Sequence, residues 1–371
     1  MSRANNPLRQ LNASGQSVWY DDIHRGLLTS GELARLIAED DLRGLTSNPT
    51  IFDKAITSSA VYDETIRQQL QTSPTQSSRD LFYALAIEDL RAAADLLLPA
   101  YQTSNGVDGR ISLEVSPDLA HDTDATVREA RSLYARLDRP NVMIKVPATL
   151  AGLPAITQLI AEGISINVTL LFAVERYEAV IDAYLTGLEQ RLAQGKSLDR
   201  IASVASFFVS RLDSTLDPLL AEKQPMLQGK IAIANAKYAY QRFKERFNDT
   251  RFAALRAAGA LPQRLLWAST STKNPAYRDV LYVENLIGPD TVNTVPPATY
   301  QAFRDHGVVA NKLESGIETA LAELASLASL GIDLRAVTDH LEQEGVAAFA
   351  QSFANLLAGL EAKVADLTAA V

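Results

Sequence analysis

Short apolar runs alternate with longer amphipathic stretches along most of the chain. The runs are rich in Val, Ile, Leu and aromatic residues, and their lengths are typical of buried strands. Eight of them predict strands, at Ser17–Asp21, Gly44–Ser47, Arg110–Val115, Asn141–Val146, Ser165–Leu170, Ser203–Val209, Arg264–Ser269 and Thr291–Val295. The stretches between them have helical periodicity, and several begin at a residue that can cap a helix. Helices are expected at Ser78–Leu98, Thr123–Leu137, Val174–Gln194, Pro218–Asn248 and Asn274–Leu281.

This alternation indicates an α/β protein with a parallel sheet. Eight strands favour a sheet closed into a (β/α)8 TIM barrel, although an open, doubly wound sheet has the same local pattern. We expect one barrel domain over residues 1–371. Within it, the Ala- and Leu-rich segment Lys312–Val371 predicts additional C-terminal helices broken at Gly331 and Gly345. These helices either cover the barrel mouth or form a dimer contact, so a monomer and a homodimer both stay open.

Composition narrows the possible chemistry. Of 371 residues, 47% are hydrophobic and 21% charged, as in an ordinary folded protein. The net charge of −9 argues against a nucleic-acid partner, because phosphate backbones require clustered Lys and Arg. The absence of cysteine excludes thiol nucleophiles, and the four scattered histidines (His24, His121, His306 and His340) disfavour a metal site. We therefore expect no metal and no cofactor, and catalysis by carboxylates, lysine, hydroxyls or amides.

The beginning of the chain bears on its location. Residues 1–16 are polar and contain no apolar core of a signal peptide, which predicts a cytoplasmic protein. No apolar stretch approaches the 18 or so residues of a membrane span, so no membrane partner is expected.

Polar residues gather where the predicted strands end, which is where barrel enzymes place their active sites. One such residue is most often a turn or helix cap, but a series of them is harder to explain that way. In the fifth and sixth runs, residues two apart share a strand face. The polar residues are Asp21, Asn48, Glu114, Lys145, Asn167, Thr169 and Ser206, and the apolar Phe208 shares the strand face of Ser206.

Lys145 is the most informative member of the series, because lysine is rarely buried in a strand without a function or a paired charge. The ordinary interpretation is a lysine that reaches the rim or pairs with Glu114. The functional interpretation is a Schiff-base amine, since burial disfavours the ammonium form and favours the free amine that attacks a carbonyl. Asp21 and Glu114 would stabilise the ammonium, so sequence leaves this balance open.

Six ordered motifs carry a family resemblance. They are SVWYDDI, LTSNPTIF, ISLEVSP, NVMIKVPAT, INVTLLFA and ASFFVSRLD, and they lie between Ser17 and Val295. In this order they resemble the motif series of transaldolases, and the length and tail resemble the longer bacterial subgroup. The resemblance implies a (β/α)8 barrel without a cofactor that transfers a dihydroxyacetone unit between sugar phosphates. The implied reaction converts sedoheptulose 7-phosphate and glyceraldehyde 3-phosphate into erythrose 4-phosphate and fructose 6-phosphate, in the pentose phosphate pathway.

The resemblance also implies catalytic roles. Lys145 matches the Schiff-base lysine, and Asp21 matches the acid that removes the C4-hydroxyl proton. Asp22 competes with Asp21 but points to the opposite face if the strand continues. Glu114 matches the acid that acts through a water during carbinolamine dehydration, and Thr169 matches the hydroxyl that holds this water.

Other matched residues imply substrate contacts. Asn48 and Asn167 match amides that orient substrate hydroxyls, while Ser206 and Arg211 match substrate and phosphate contacts. The chain has FFVS where many members have PFVG, a departure that leaves the local turn and the place of Arg211 open. The family's second phosphate arginine is missing after ASTST, and Lys273 is the expected replacement, with a point charge instead of a bidentate fork.

Phe208 shares a strand face with Ser206 and is expected to form an apolar wall that keeps water and proton donors from the enamine intermediate. The alternative is ordinary filling of the barrel.

Three alternative functions fit the sequence to different degrees. A class I Schiff-base aldolase on the same barrel, such as a fructose 6-phosphate aldolase, is barely separable by motif. A nucleotide-binding enzyme would need a GxGxxG fingerprint, which this chain lacks. Gly195-Lys196-Ser197 resembles the end of a P-loop, but Gln190 occupies the position of its first glycine. A scaffold protein would not explain polar groups at so many strand ends.

Overall fold

The computed structural model describes residues 6–369 and contains a closed barrel of eight parallel strands in chain order, each paired with the next and β1 with β8. The strands are β1 (Gln16–Tyr20), β2 (Gly44–Leu45), β3 (Arg110–Glu114), β4 (Val142–Pro147), β5 (Ile166–Leu171), β6 (Ser203–Phe208), β7 (Arg264–Ala268) and β8 (Thr291–Val295). The predicted barrel is confirmed, and the alternative of an open, doubly wound sheet is wrong. The predicted strand bounds lie within two residues of the observed bounds.

Helices surround the barrel. They are α1 (Pro7–Ala13), α2 (Arg25–Thr29), α3 (Glu32–Asp40), α4 (Pro49–Thr57), α5 (Asp63–Thr72), α6 (Ser78–Thr103), α7 (Thr123–Leu137), α8 (Gly152–Glu162), α9 (Val174–Ala193), α10 (Ser210–Lys223), α11 (Ile231–Arg246), α12 (Thr250–Ala257), α13 (Leu281–Asn285), α14 (Pro297–His306), α15 (Ile317–Ser329) and α16 (Leu334–Ala369). The strands are buried on both faces, as expected when a ring of helices covers the outside of a packed barrel.

Strand register explains how the site is assembled. Glu114 is paired with Lys145 across β3 and β4, and Lys145 with Asn167 across β4 and β5. Neighbours in register on parallel strands point to the same side of the sheet. Three polar residues predicted from separate motifs therefore form one row inside the barrel.

Two predicted helices were wrong. Pro218–Asn248 is interrupted between α10 and α11, because Pro225 cannot donate to a helical ladder and Gly229 has a left-handed φ of +69°. Asn274–Leu281 is an irregular loop before α13, in which the Asn274 side chain accepts the N–H of Ala276 at 2.9 Å.

The break predicted at Gly331 is confirmed between α15 and α16, but the break predicted at Gly345 was wrong. Helix α16 continues through Gly345, where a Cβ atom would lie 2.9 Å from Leu170 Cδ2. The glycine therefore permits close packing of α16 on β5 rather than ending the helix.

Helix α16 crosses the mouth of the barrel, in contact with α4, α6, α10 and β5. Of the C-terminal helices, α16 lies at the mouth, whereas α15 packs on α11, and a dimer contact stays a prediction. No helix within residues 6–369 is long and apolar enough to span a membrane. Residues 1–5, part of the polar stretch used to predict location, lie outside the described residues. The division of the chain into a barrel and an extension beginning at Lys312 stays a prediction.

Candidate active site

A cavity of about 370 Å³ opens at the carboxyl ends of the strands. It has both polar and apolar walls, and it is the place where barrel enzymes bind substrates. Eight of the ten predicted site residues line it: Asp21, Asn48, Lys145, Thr169, Ser206, Phe208, Arg211 and Lys273. Glu114 and Asn167 lie behind its walls.

Lys145 projects from β4 at the base of the cavity and is only 5% exposed. Its Nζ lies 3.1 Å from Oε2 of Glu114, also 5% exposed, and donates to the carbonyl oxygen of Ser47 at 3.3 Å. Burial raises the pKa of Glu114, and the neighbouring Lys145 opposes this rise. The pairing that the ordinary interpretation of Lys145 predicted is therefore present, but in a lysine that also faces an open cavity.

Asp21 follows β1 and accepts a hydrogen bond from Oγ1 of Thr46 at 2.6 Å. Burial raises its pKa, against the effects of the Thr46 hydrogen bond, Lys145 and Arg211. Asp22 lines a neighbouring cavity, where it lies 3.8 Å from Nε2 of His24. Of the two acids, only Asp21 shares the cavity with Lys145.

Asn48 is both a helix cap and a residue of the cavity, the two interpretations that its position at a strand end allows. It is the N-cap of α4, where its Oδ1 accepts the N–H of Ile51 at 3.0 Å, and it also lines the cavity. Because Oδ1 of Asn48 accepts this capping hydrogen bond, its Nδ2 is the atom that can donate a hydrogen bond to a ligand.

Asn167 lies deeper than predicted. Its Nδ2 donates to Oγ of Ser112 at 3.0 Å, and its Oδ1 accepts from Oγ of Ser206 at 2.7 Å. The side chain is fully buried. In this structure Asn167 orients Ser206, which does line the cavity, and direct contact of Asn167 with a substrate stays a prediction.

Strand β5 is irregular next to Thr169. Its pairing with β6 shifts between Val168 and Leu171, and Leu170 has a φ of +61°. A left-handed leucine costs about 1 kcal/mol or more, so this local strain is held by its surroundings. Thr169 is fully buried, and its hydroxyl has no hydrogen-bond partner within residues 6–369.

Arg211 and Lys273 contribute two further cationic side chains to the lining of the cavity. The Arg211 guanidinium lies over the ring of Phe208, 5.0 Å from its centroid, with no carboxylate within 4 Å among the described residues. Nζ of Lys273 donates to Oγ of Ser271 at 2.8 Å. Burial lowers the pKa of both cations, and Arg211 adds to the lowering for Lys273. Despite the FFVS departure, Arg211 faces the cavity from the first turn of α10.

Sequence reasoning missed several residues that line the cavity, and three of them are distinguished by their contacts or charge. Thr46 binds Asp21, Lys54 extends from α4 to the cavity, and Phe349 reaches it from α16. Thr46 could have been found, because it follows β2 two residues before Asn48. Lys54 and Phe349 belong to helices whose periodicity gives no sign of a cavity.

Fold and cavity together are those of a (β/α)8-barrel enzyme with a lysine at the base of its cavity. The sequence profile of the transaldolase/fructose-6-phosphate aldolase family matches residues 18–360. Among curated relatives, "Transaldolase 2" of Nostoc sp. is 48% identical, covering 97% of this chain and 98% of the relative. "Transaldolase" of Parafrankia sp. is 51% identical over 95% and 96%, and that of Thermobifida fusca 49% over 95% and 96%. The chain belongs to the transaldolase/fructose-6-phosphate aldolase family.

Proposed function

We propose that this enzyme is a transaldolase of the pentose phosphate pathway, which transfers a dihydroxyacetone unit from a ketose phosphate to an aldose phosphate through a Schiff base on Lys145. The observation that carries the proposal is the buried Lys145 amine, 3.1 Å from Glu114, at the base of a cavity that also holds Asp21. The full-length likeness to proteins named transaldolase supports the same reaction.

The first step forms the iminium. The Lys145 amine adds to the C2 carbonyl of the ketose, and the resulting carbinolamine loses water. The leaving hydroxyl needs a proton, and the raised pKa of Glu114 favours the protonated carboxyl that can supply it through a water. Thr169 is the proposed holder of this water, because its buried hydroxyl has no other partner among residues 6–369.

The second step breaks the bond between C3 and C4. Asp21 removes the proton of the C4 hydroxyl, the C4 oxygen becomes the aldehyde of the leaving aldose, and the bonding electrons move into the iminium to give an enamine. Asp21 is suited to this role, since the Thr46 hydrogen bond fixes one of its oxygens while the residue still lines the cavity. An acceptor aldehyde then reverses the step, and water releases the new ketose from Lys145.

Substrate orientation is assigned to the remaining residues. Arg211 and Lys273 bind the phosphate, because they place two cations at one side of the cavity and offset its carboxylates. Asn48 and Ser206 orient the hydroxyls of the sugar. Asn167 supports Ser206 through the 2.7 Å hydrogen bond.

The proposal is tested by supplying fructose 6-phosphate with and without erythrose 4-phosphate, in the presence of EDTA. A transaldolase forms sedoheptulose 7-phosphate and glyceraldehyde 3-phosphate, and it releases little free dihydroxyacetone when the acceptor is absent. Free dihydroxyacetone formed as fast as transfer product would favour the aldolase alternative, and no reaction at all would contradict both. The cytoplasmic location and the choice between monomer and homodimer stay predictions.

A further inference from the structure

Helix α16 brings an aromatic ring to the reacting lysine. The ring centroid of Phe349 lies 5.4 Å from Nζ of Lys145 and 5.9 Å from Cζ of Arg211. The side chain is 6% exposed and lines the catalytic cavity. Phe349 is therefore a shared neighbour of the proposed nucleophile and the proposed phosphate ligand, although it comes from the segment outside the eight strand–helix units.

Several contacts hold this ring in place. The close approach at Gly345 packs α16 on Leu170, one turn before Phe349. On the other side of Phe349, Oγ1 of Thr50 donates to Oγ of Ser352 at 3.0 Å. These contacts attach α16 to the barrel on both sides of Phe349. They therefore fix the position of the Phe349 ring at the mouth of the barrel.

Residues of α16 further from Phe349, on both sides, also contact the helices around the barrel. Arg176 on α9 pairs with Glu342 at 3.2 Å, and Nζ of Lys363 donates to the carbonyl oxygen of Ile56 in α4 at 3.0 Å. The mouth is thus covered by a helix anchored along its length, and the ring it contributes has limited freedom to move away.

An aromatic face near Lys145 has two physical effects. It stabilises positive charge on the nitrogen, which is permanent in the protonated iminium. It also fills space next to that nitrogen with a group that neither donates nor accepts a proton, so it displaces water from the covalent intermediate.

We infer that Phe349 is a specificity-determining residue that makes the enzyme a transferase, by shielding the enamine on Lys145 from water. This inference rests on the proposed function. When the shield fails, the enamine carbon takes a proton from a water and becomes an iminium again. Water then adds to C2, the bond between carbon and the Lys145 nitrogen breaks, and free dihydroxyacetone leaves while the lysine regains its amine.

The test compares Phe349→Ala and Phe349→Leu with the wild type. The measured quantity is the ratio of free dihydroxyacetone released to transfer product formed, with fructose 6-phosphate as donor and erythrose 4-phosphate as acceptor. We expect Phe349→Ala to raise this ratio by about fivefold or more, because both the cation–π contact and the cover are lost. Phe349→Leu keeps the apolar bulk and should raise the ratio less.

The matched control is Leu360→Ala. Leu360 is fully buried on the same helix, three turns after Phe349, and does not line the cavity. It should lower the melting temperature by removing buried apolar contacts near the end of α16, while the contacts at Gly345 and Ser352 keep Phe349 in place, so the ratio should not change. An unchanged ratio in both Phe349 variants, or an equal rise in Leu360→Ala, would overturn the inference.

Reduction with borohydride in the presence of fructose 6-phosphate separates failure of this inference from failure of the proposed function. If wild-type Lys145 is not labelled, the proposed function itself is wrong. If Lys145 is labelled in the wild type and the variants but the ratio does not move, only the role of Phe349 is wrong.

Discussion

Replacement of Arg211 by alanine tests whether this residue binds the phosphate of the substrate. The guanidinium is half-buried, lies over Phe208 and Phe349, and has no carboxylate within 4 Å in the described part of the chain. The guanidinium is therefore positioned by cation–π contacts with two rings, and its N–H groups are available to donate hydrogen bonds to a ligand. Hydrogen bonds to charged groups contribute about 1.5–3 kcal/mol each, so losing one should lower kcat/KM for fructose 6-phosphate by about one to two orders of magnitude.

The assay measures kcat/KM for fructose 6-phosphate and for fructose in parallel. Arg211→Ala should affect fructose far less, because fructose has no phosphate to bind, and Arg211→Lys should recover part of the loss through its charge. Arg176→Ala is the control, since it removes an arginine that contacts α16 through Glu342 but does not line the cavity. Equal losses on both substrates would refute the phosphate role and assign Arg211 to the fold.

Three further changes have defined outcomes. Asp21→Asn should lower transfer by about 10²- to 10⁴-fold while Lys145 is still trapped by borohydride, and normal transfer would exclude Asp21 as the base. Phe208→Tyr should place a hydroxyl in the cavity, lower transfer to erythrose 4-phosphate and raise free dihydroxyacetone, whereas unchanged products would leave Phe208 as barrel filling. Burial raises the pKa of Asp213 to about 7, so the stability contributed by the protonated carboxyl is fully present below the ordinary aspartate pKa of about 4 and is lost as pH rises from there to about 7. The melting temperature of Asp213→Asn should therefore rise relative to that of the wild type between about pH 4 and pH 7, and curves that stay parallel over this range would contradict the shift.

The sequence predicted the barrel well because each strand is short, apolar and followed by a polar residue. Asp21, Lys145 and Thr169 were found this way, since they occupy the strand ends that a closed barrel brings together. The depth of a side chain within the barrel depends on register and stagger, which one strand does not reveal. For this reason the sequence placed Asn167 on the correct side of its strand but did not show that it lies behind the cavity wall, hydrogen-bonded to Ser112 and Ser206.

Contacts between distant segments account for most of the errors. The segment Asn274–Leu281 was predicted as a helix, but the hydroxyl of Tyr277 in this segment donates to Oδ2 of Asp217 on α10 at 2.6 Å. Gly345 was predicted to end a helix, but it serves the packing of α16 on Leu170. Phe349 belongs to an ordinary helical pattern, and only tertiary structure shows that it reaches Lys145.

The central claim is that Lys145 carries the substrate as a Schiff base, and reductive trapping tests it most directly. Incubation with fructose 6-phosphate and borohydride should inactivate the enzyme and add one reduced dihydroxyacetone unit to the peptide that contains Lys145. Lys145→Ala should fold, remain unlabelled and lack activity. Labelling of Lys54, which lines the same cavity, or of Lys196 or Lys237 in place of Lys145 would contradict the claim.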